Sequence, residues 1–214
     1  MKRHVSTERE SSAAQLLSVP GMQRVPSAQL ALFQLRAFLS PDLCAQLTAL
    51  IDRDRRPSTI ADANGDAAFR TSETCDLPAD DPAVRQLEDY LQRVSGIAPI
   101  YGEPVQGQRY DVGQEFKPHT DYFAPDGADF ARYCSTAGQR SWTFMVYLNE
   151  PTLGGATRFK AIGKTIQPET GKLLAWNNRL PDGSVNPATL HHGMKVRRGV
   201  KYVITKWYRE RPWS

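Results

Sequence analysis

The feature that most restricts the fold is a series of seven short segments between residues 105 and 208, each rich in β-branched and aromatic residues and each bounded by Gly, Pro, Asn or Asp. Such segments read as strands separated by turns. They cover residues 105–110, 116–121, 141–148, 157–159, 172–176, 191–196 and 200–208. Upstream of them the periodicity is helical. Ser40 and Pro41 form an N-cap and first-turn pair, after which Leu43, Leu47, Leu50 and Ile51 recur on one face. Asp81 and Pro82 repeat the start signal, Val84, Leu87, Leu91 and Val94 make the apolar stripe, and Gly96 supplies the stop. Helices followed by many strands predict an α+β, mainly β chain whose sheets form a sandwich or barrel packed on the N-terminal helices.

One domain accommodates the 214 residues. Residues 1–30 are polar, interrupted by Pro20 and Pro26, and carry one brief apolar patch at Leu16 and Leu17. They read as a flexible or loosely docked leader, and residues 31–214 as the folded domain. The leader has no apolar run long enough for a signal peptide or a membrane span, so a cytoplasmic location is the default expectation. Cys44, Cys75 and Cys134 are odd in number and widely spaced, which fits reduced thiols and neither a zinc framework nor disulfides. With a net charge of +4 and scattered basic residues, no nucleic-acid partner is expected.

His119 and Asp121 stand two apart in an expected strand, so period-two alternation turns both side chains to one face. Alone, such a pair is a weak signal. The other histidines are His4 in the leader and the adjacent His191 and His192. Two imidazoles and one carboxylate form the facial triad that leaves positions open on iron(II) for a co-substrate and oxygen. Ten residues after His191 comes Lys201, whose strand puts it on a face with Val203, Thr205 and Trp207, while Tyr202, Lys206 and Tyr208 take the other. A lysine that snorkels from an edge strand needs no partner. One that points inward beside a metal triad calls for a carboxylate-bearing ligand.

The ordered stretches Tyr110-x-x-Gly113-Gln114-x-Phe116-x-x-His119-Thr120-Asp121, Arg140-x-x-Thr143-x-x-x-Tyr147-Leu148, Gly154-Gly155-Ala156-Thr157-x-Phe159, Pro168-x-x-Gly171 and Leu190-His191-x-Gly193-x-x-Val196-x-x-Gly199-x-Lys201 resemble the prolyl 4-hydroxylase family of iron(II) and 2-oxoglutarate oxygenases. The resemblance reaches back through Phe69-Arg70-Thr71-Ser72 and covers roughly residues 35–210. It implies a double-stranded β-helix, or jelly roll, buttressed by helices. It implies iron held by His119, Asp121 and His191, and 2-oxoglutarate held at its distal carboxylate by Lys201, with Tyr110 and Thr143 assisting and Trp207 walling the pocket. It also implies O2 as oxidant, ascorbate as reductant, and a proline-containing peptide or protein as substrate, hydroxylated at C4. Asp121 is the carboxylate ligand that halogenating relatives lack, which favours hydroxylation.

Two positions depart from the family pattern. Lys195 stands where a proline often follows the second histidine, and Asn186 where an Asp often precedes the turn at Pro187. Arg70 is either a surface or ion-paired structural arginine or a catalytic group facing substrate. Tyr122, Trp142 and Trp176 are either core aromatics, the commoner fate, or the lining of a mouth for a prolyl ring. Gly154 and Gly155 read as a tight turn. The long connection from Tyr122 to Arg140 is a candidate lid. Two other functions fit the same residues: hydroxylation of a free amino acid or other small molecule, and a non-catalytic jelly roll that holds a metal such as zinc.

Overall fold

Two capped helices carry the first half of the chain. α2 (Pro41–Arg53) begins at Ser40, whose Oγ accepts from the Leu43 N–H at 3.2 Å, and α3 (Pro82–Ser95) begins at Asp81, which accepts from the Ala83 N–H at 2.9 Å. Gly96 ends α3 at φ 69°, a left-handed conformation that glycine takes without strain, and returns its N–H to the Gln92 carbonyl. The structure, a computed structural model, describes residues 12–58, 69–127 and 130–213. Two further helical segments are α1 (residues 12–18) and α4 (Phe130–Cys134). No helix among the described residues is long and apolar enough to cross a membrane.

The strands are β1 (Gln23–Arg24), β2 (Leu32–Leu35), β3 (Arg56–Pro57), β4 (Glu73–Asp76), β5 (Gln106–Tyr110), β6 (Phe116–His119), β7 (Arg140–Tyr147), β8 (Leu153–Gly154), β9 (Thr157–Phe159), β10 (Lys164–Ile166), β11 (Leu173–Asn177), β12 (His191–Gly193), β13 (Val196–Arg198) and β14 (Lys201–Arg209). They form an eight-stranded antiparallel sheet in the order β1-β2-β11-β7-β14-β5-β4-β3, a four-stranded sheet β10-β9-β12-β6, and the pair β13-β8.

Both faces of the central strands of the large sheet are buried. Trp142, Phe144 and Val146 of β7, with Ile204 and Tyr208 of β14, point one way onto α2 and α3 and pack with Leu47, Leu87 and Leu91. Met145, Tyr147 and Val203, one residue out of step, point the other way toward Phe159 and Ile166 of the small sheet. The helices thus buttress one face of the sheet, and the site occupies the space that its other face shares with the small sheet.

Several expectations need correction. Strand β6 ends at His119, so Asp121 lies beyond it. The segment 191–196 is two strands, because Met194 bonds to Ala156 and the chain then turns at Lys195 to pair with β8. Strands β1 to β4, β8 and β10 were absent from the sequence reading, since two to four residues at sheet edges carry too little alternation to register. Residues 1–11 of the expected leader lie outside the described residues. From residue 12 onward the segment is docked: Leu16 is fully buried in the helix-side core while its neighbour Leu17 stays exposed, and Val25 and Leu30 are buried between the sheets.

Replacing Leu16 by Ala should therefore lower stability by about 2–5 kcal/mol, the range for truncating a buried leucine. Chemical denaturation measures it. A loss below about 0.5 kcal/mol, the size of a surface substitution, would show that α1 contributes nothing to the fold.

Candidate active site

β12 lies antiparallel between β9 and β6, in a register that sets His191 directly opposite His119. The two rings are 4.2 Å apart between centroids. Each imidazole uses Nδ1 on a main-chain carbonyl, His119 on Lys117 at 2.7 Å and His191 on Thr189 at 2.9 Å, which leaves Nε2 free to face the other. Asp121 Oδ1 lies 4.0 Å from His119 Nε2. Its second oxygen accepts from the Thr143 hydroxyl at 2.8 Å, and Thr143 accepts in turn from Asn178 Nδ2 at 2.9 Å. The ligand atoms of His119, Asp121 and His191 all fall within 4.8 Å of one another. Burial, and then the neighbouring His191, hold His119 well below the usual imidazole range, so it is the neutral form that a metal needs.

This donor set fits iron(II). Two neutral imidazoles and one carboxylate converge, and every second atom is tied back to the protein, which orients the ligands. Zinc would accept the same donors. His192, one residue on, faces away and bonds Glu115 at 2.9 Å.

A cavity opens beside the triad, lined by β5 and β14 of the large sheet and by Trp176 of β11. At one end Lys201 is buried, and no acceptor among the described residues bonds its ammonium; it stands 5.0 Å from the ring centre of Tyr110 and 5.5 Å from that of Tyr147. Burial lowers its pKa from 10.5 to about 7. The indole N–H groups of Trp176 and Trp207, both on the cavity wall, are also buried without a partner among the described residues. Buried donors without acceptors fit an anionic, acceptor-rich guest.

The remaining expected residues are placed as follows. Tyr110 lines the cavity next to Lys201. Thr143 does not line it: the residue is fully buried behind Asp121 and its hydroxyl is committed to that carboxylate, so it supports the metal ligand instead of contacting a co-substrate. Trp207 is six residues from Lys201 along β14, about 20 Å at strand rise, and sits at the other end of the cavity under the Arg140 guanidinium, 3.9 Å from its ring centre. Arg70 is buried, bonds Ser72 and Gln106, and lies 4.8 Å over the Phe116 ring, which is stacked on His119. It is therefore not a surface arginine, and no carboxylate among the described residues pairs with it. Of the three candidate mouth aromatics only Trp176 faces the cavity; Trp142 packs against Phe33 and Phe144 on the helix side, and Tyr122 is half-buried outside the lining.

The sequence reading missed Glu103, which takes both Arg140 (2.6 and 2.7 Å) and Arg209 (2.6 Å) in a buried cluster above the cavity. It also missed Gln106 and Gln108. Their signal was available, since two glutamines at alternate positions of an otherwise inward-facing strand face are anomalous. The described part of the 122–140 connection is fastened: Gln139 bonds both main-chain groups of Phe123, and Arg209 donates to the carbonyls of Tyr133 and Gly138. Asn186 replaces an Asp cap without loss, accepting from Ala188 N–H and donating to the Gln29 carbonyl, and Lys195 reaches Glu115.

Comparison with known proteins gives a consistent picture. Residues 105–209 match the family model described as the 2OG-Fe(II) oxygenase superfamily. The chain is 32% identical over 146 residues to the prolyl 4-hydroxylase subunit alpha-1 of Rattus norvegicus, covering 68% of this chain and 27% of that one. It is 29% identical over 196 residues to the probable prolyl 4-hydroxylase 10 of Arabidopsis thaliana, covering 80% and 66%. The chain thus spans about a quarter of the animal relative's length. Among solved structures, the 2OG complex of the viral collagen prolyl hydroxylase from Paramecium Bursaria Chlorella virus-1 superposes with a TM-score of 0.64 at 26% identity, covering 83% of this chain and 95% of that one.

Alanine at His119, Asp121 or His191 should abolish tight binding of Mn(II) or Fe(II) in a calorimetric titration, whereas His192→Ala should retain it. Thr143→Val should weaken metal binding roughly tenfold or more, the usual effect of removing a group that orients a ligand. Loss of binding in His192→Ala with retention in His191→Ala would show that the register drawn here is wrong.

Proposed function

Because this chain belongs to the 2OG-Fe(II) oxygenase superfamily and is prolyl 4-hydroxylase-like, we propose that it hydroxylates a prolyl residue of a peptide or protein at C4, using iron(II), 2-oxoglutarate and O2. One observation carries the proposal: the His119, Asp121 and His191 donors open onto the same cavity as a buried lysine that has no acceptor among the described residues. A metal held only for structure needs no such cation. The two sheets with the site between them support the finer reading of the fold as a double-stranded β-helix.

In this reading the triad holds iron, which when bound supplies the oxygen chemistry that couples conversion of 2-oxoglutarate to succinate and carbon dioxide with insertion of one oxygen atom into substrate. The chain contributes position and exclusion of water. Lys201 receives the distal carboxylate, and the nearby Tyr110 and Tyr147 rings keep water from it. Thr143 and Asn178 hold Asp121 so that one oxygen faces the metal. Trp207, under Arg140, forms the substrate end. A prolyl ring suits such a mouth because it is compact and apolar, lacks an N–H to satisfy, and comes with an extended conformation already set.

The direct test is mass spectrometry of proline-rich peptides and cellular proteins after incubation with enzyme, iron(II), 2-oxoglutarate and ascorbate, with succinate measured alongside. The expected result is one added oxygen on proline per succinate formed. Oxygen delivered only to free amino acids would overturn the peptidyl assignment.

The depressed Lys201 pKa adds a pH dependence with a definite sign. Near pH 7 and above, Lys201 loses its proton before co-substrate binds, and the carboxylate restores it. Binding above pH 7 therefore takes up a proton, and 2-oxoglutarate affinity should fall about tenfold per pH unit as pH rises, while below pH 7 this dependence vanishes. Lys201→Arg, which stays charged, should show no such slope. Equal slopes for the two proteins would remove Lys201 from the carboxylate site.

A further inference from the structure

Three inward residues of β5, Gln106, Gln108 and Tyr110, stand opposite Thr205, Val203 and Lys201 of β14, and their polar groups form a continuous string. Tyr110 Oη lies 2.9 Å from Gln108 Oε1. Gln108 Nε2 lies 3.2 Å from Gln106 Oε1 and 3.0 Å from Thr205 Oγ1, and Arg70 Nη2 lies 2.9 Å from Gln106 Oε1.

The oxygen and nitrogen of a glutamine amide are told apart by their partners, and here one partner decides the whole string. A guanidinium has donors and no acceptor, so the Gln106 atom that faces Arg70 is its oxygen. The Gln108 atom that faces this oxygen must then be the nitrogen. That turns Gln108 Oε1 toward Tyr110, and an amide oxygen can only accept. The Tyr110 hydroxyl therefore gives its single proton to Gln108.

We infer that Gln108, oriented by Arg70 through Gln106, is a positioning residue that withholds the Tyr110 proton from the carboxylate bound at Lys201. The inference rests on the reading of the cavity as a 2-oxoglutarate site. For Tyr110 to turn its O–H to a ligand, Gln108 Oε1 would have to lose its donor while buried, which is unfavourable. A side chain without an acceptor at position 108 removes that opposition. The string also gives Arg70 a role: its charge, held 4.8 Å from the Phe116 ring that stacks on His119, sets the direction of a hydroxyl at the co-substrate end.

The test is a double-mutant cycle on 2-oxoglutarate affinity, measured by calorimetry on the Mn(II)-loaded protein without oxygen. Gln108→Leu should bind 2-oxoglutarate roughly fivefold tighter, because the released Tyr110 hydroxyl donates to the carboxylate. Tyr110→Phe should change wild-type affinity by less than about twofold, yet cancel the gain in the Gln108→Leu background. Gln108→Met follows the original shape more closely and should shift affinity the same way; it replaces Gln108→Leu if that variant does not fold. Weaker binding in both Gln108 variants, or a Tyr110→Phe loss as large in wild type as in the Gln108→Leu background, overturns the inference and leaves the co-substrate site standing. If wild-type protein binds metal but no 2-oxoglutarate, the reading of the site fails, and this inference with it.

Discussion

The site depends on the register of β12 against β6. Antiparallel pairing sets His191 across from His119, and the alternation of side chains decides which of two adjacent histidines faces the metal. A slip of one residue would present His192 inward and send His191 to Glu115. The register is secured on both sides of the strand: β12 also pairs with β9, where His191 lies opposite Phe159 and in contact with Trp176. Aromatic packing beneath the histidine thus specifies the same arrangement as the hydrogen-bonded ladder.

Around that pair the chain resolves an electrostatic conflict. A carboxylate, two imidazoles and a lysine are brought into a largely apolar interior, and each would be costly if left unassisted. Asp121 is satisfied by Thr143 and the histidines by main-chain carbonyls. Lys201 is left with aromatic rings and no counter-charge among the described residues. That unresolved charge is the part of the structure that asks for a ligand. Buttressing by α2 and α3 on the far face allows it, since a sheet packed on both sides holds the lysine in place and keeps water away.

Much of this was legible in the sequence. The caps at Ser40 and Asp81 and the stop at Gly96 mark real helix ends because each supplies a hydrogen bond or a backbone conformation that local sequence controls. The convergence of His119 with a later histidine and the inward placement of Lys201 were legible through alternation and spacing, while Asp121, which lies past the end of β6, and the full ligand set came through the family resemblance. What stayed hidden depends on contacts between distant segments. Whether Trp142 or Trp176 faces the cavity follows from which side of the sheet meets the helices, and whether Thr143 touches co-substrate or a metal ligand follows from where the chain runs after β6 ends. Leu16 and Leu17 look alike in sequence, yet only Leu16 meets the core. The buried cluster of Glu103, Arg140 and Arg209 joins three separate segments and has no local signature.

The central claim is that metal and co-substrate meet in one cavity. Adding 2-oxoglutarate to the iron(II)-loaded protein under strict exclusion of oxygen tests it most directly, because chelation of ferrous iron by the 2-oxo acid gives a charge-transfer absorption in the visible. The account predicts that the band appears and saturates with 2-oxoglutarate in the wild-type protein, and that it is absent when zinc fills the site. Tight iron binding with no band at any 2-oxoglutarate concentration would contradict it and leave a metal site without the co-substrate.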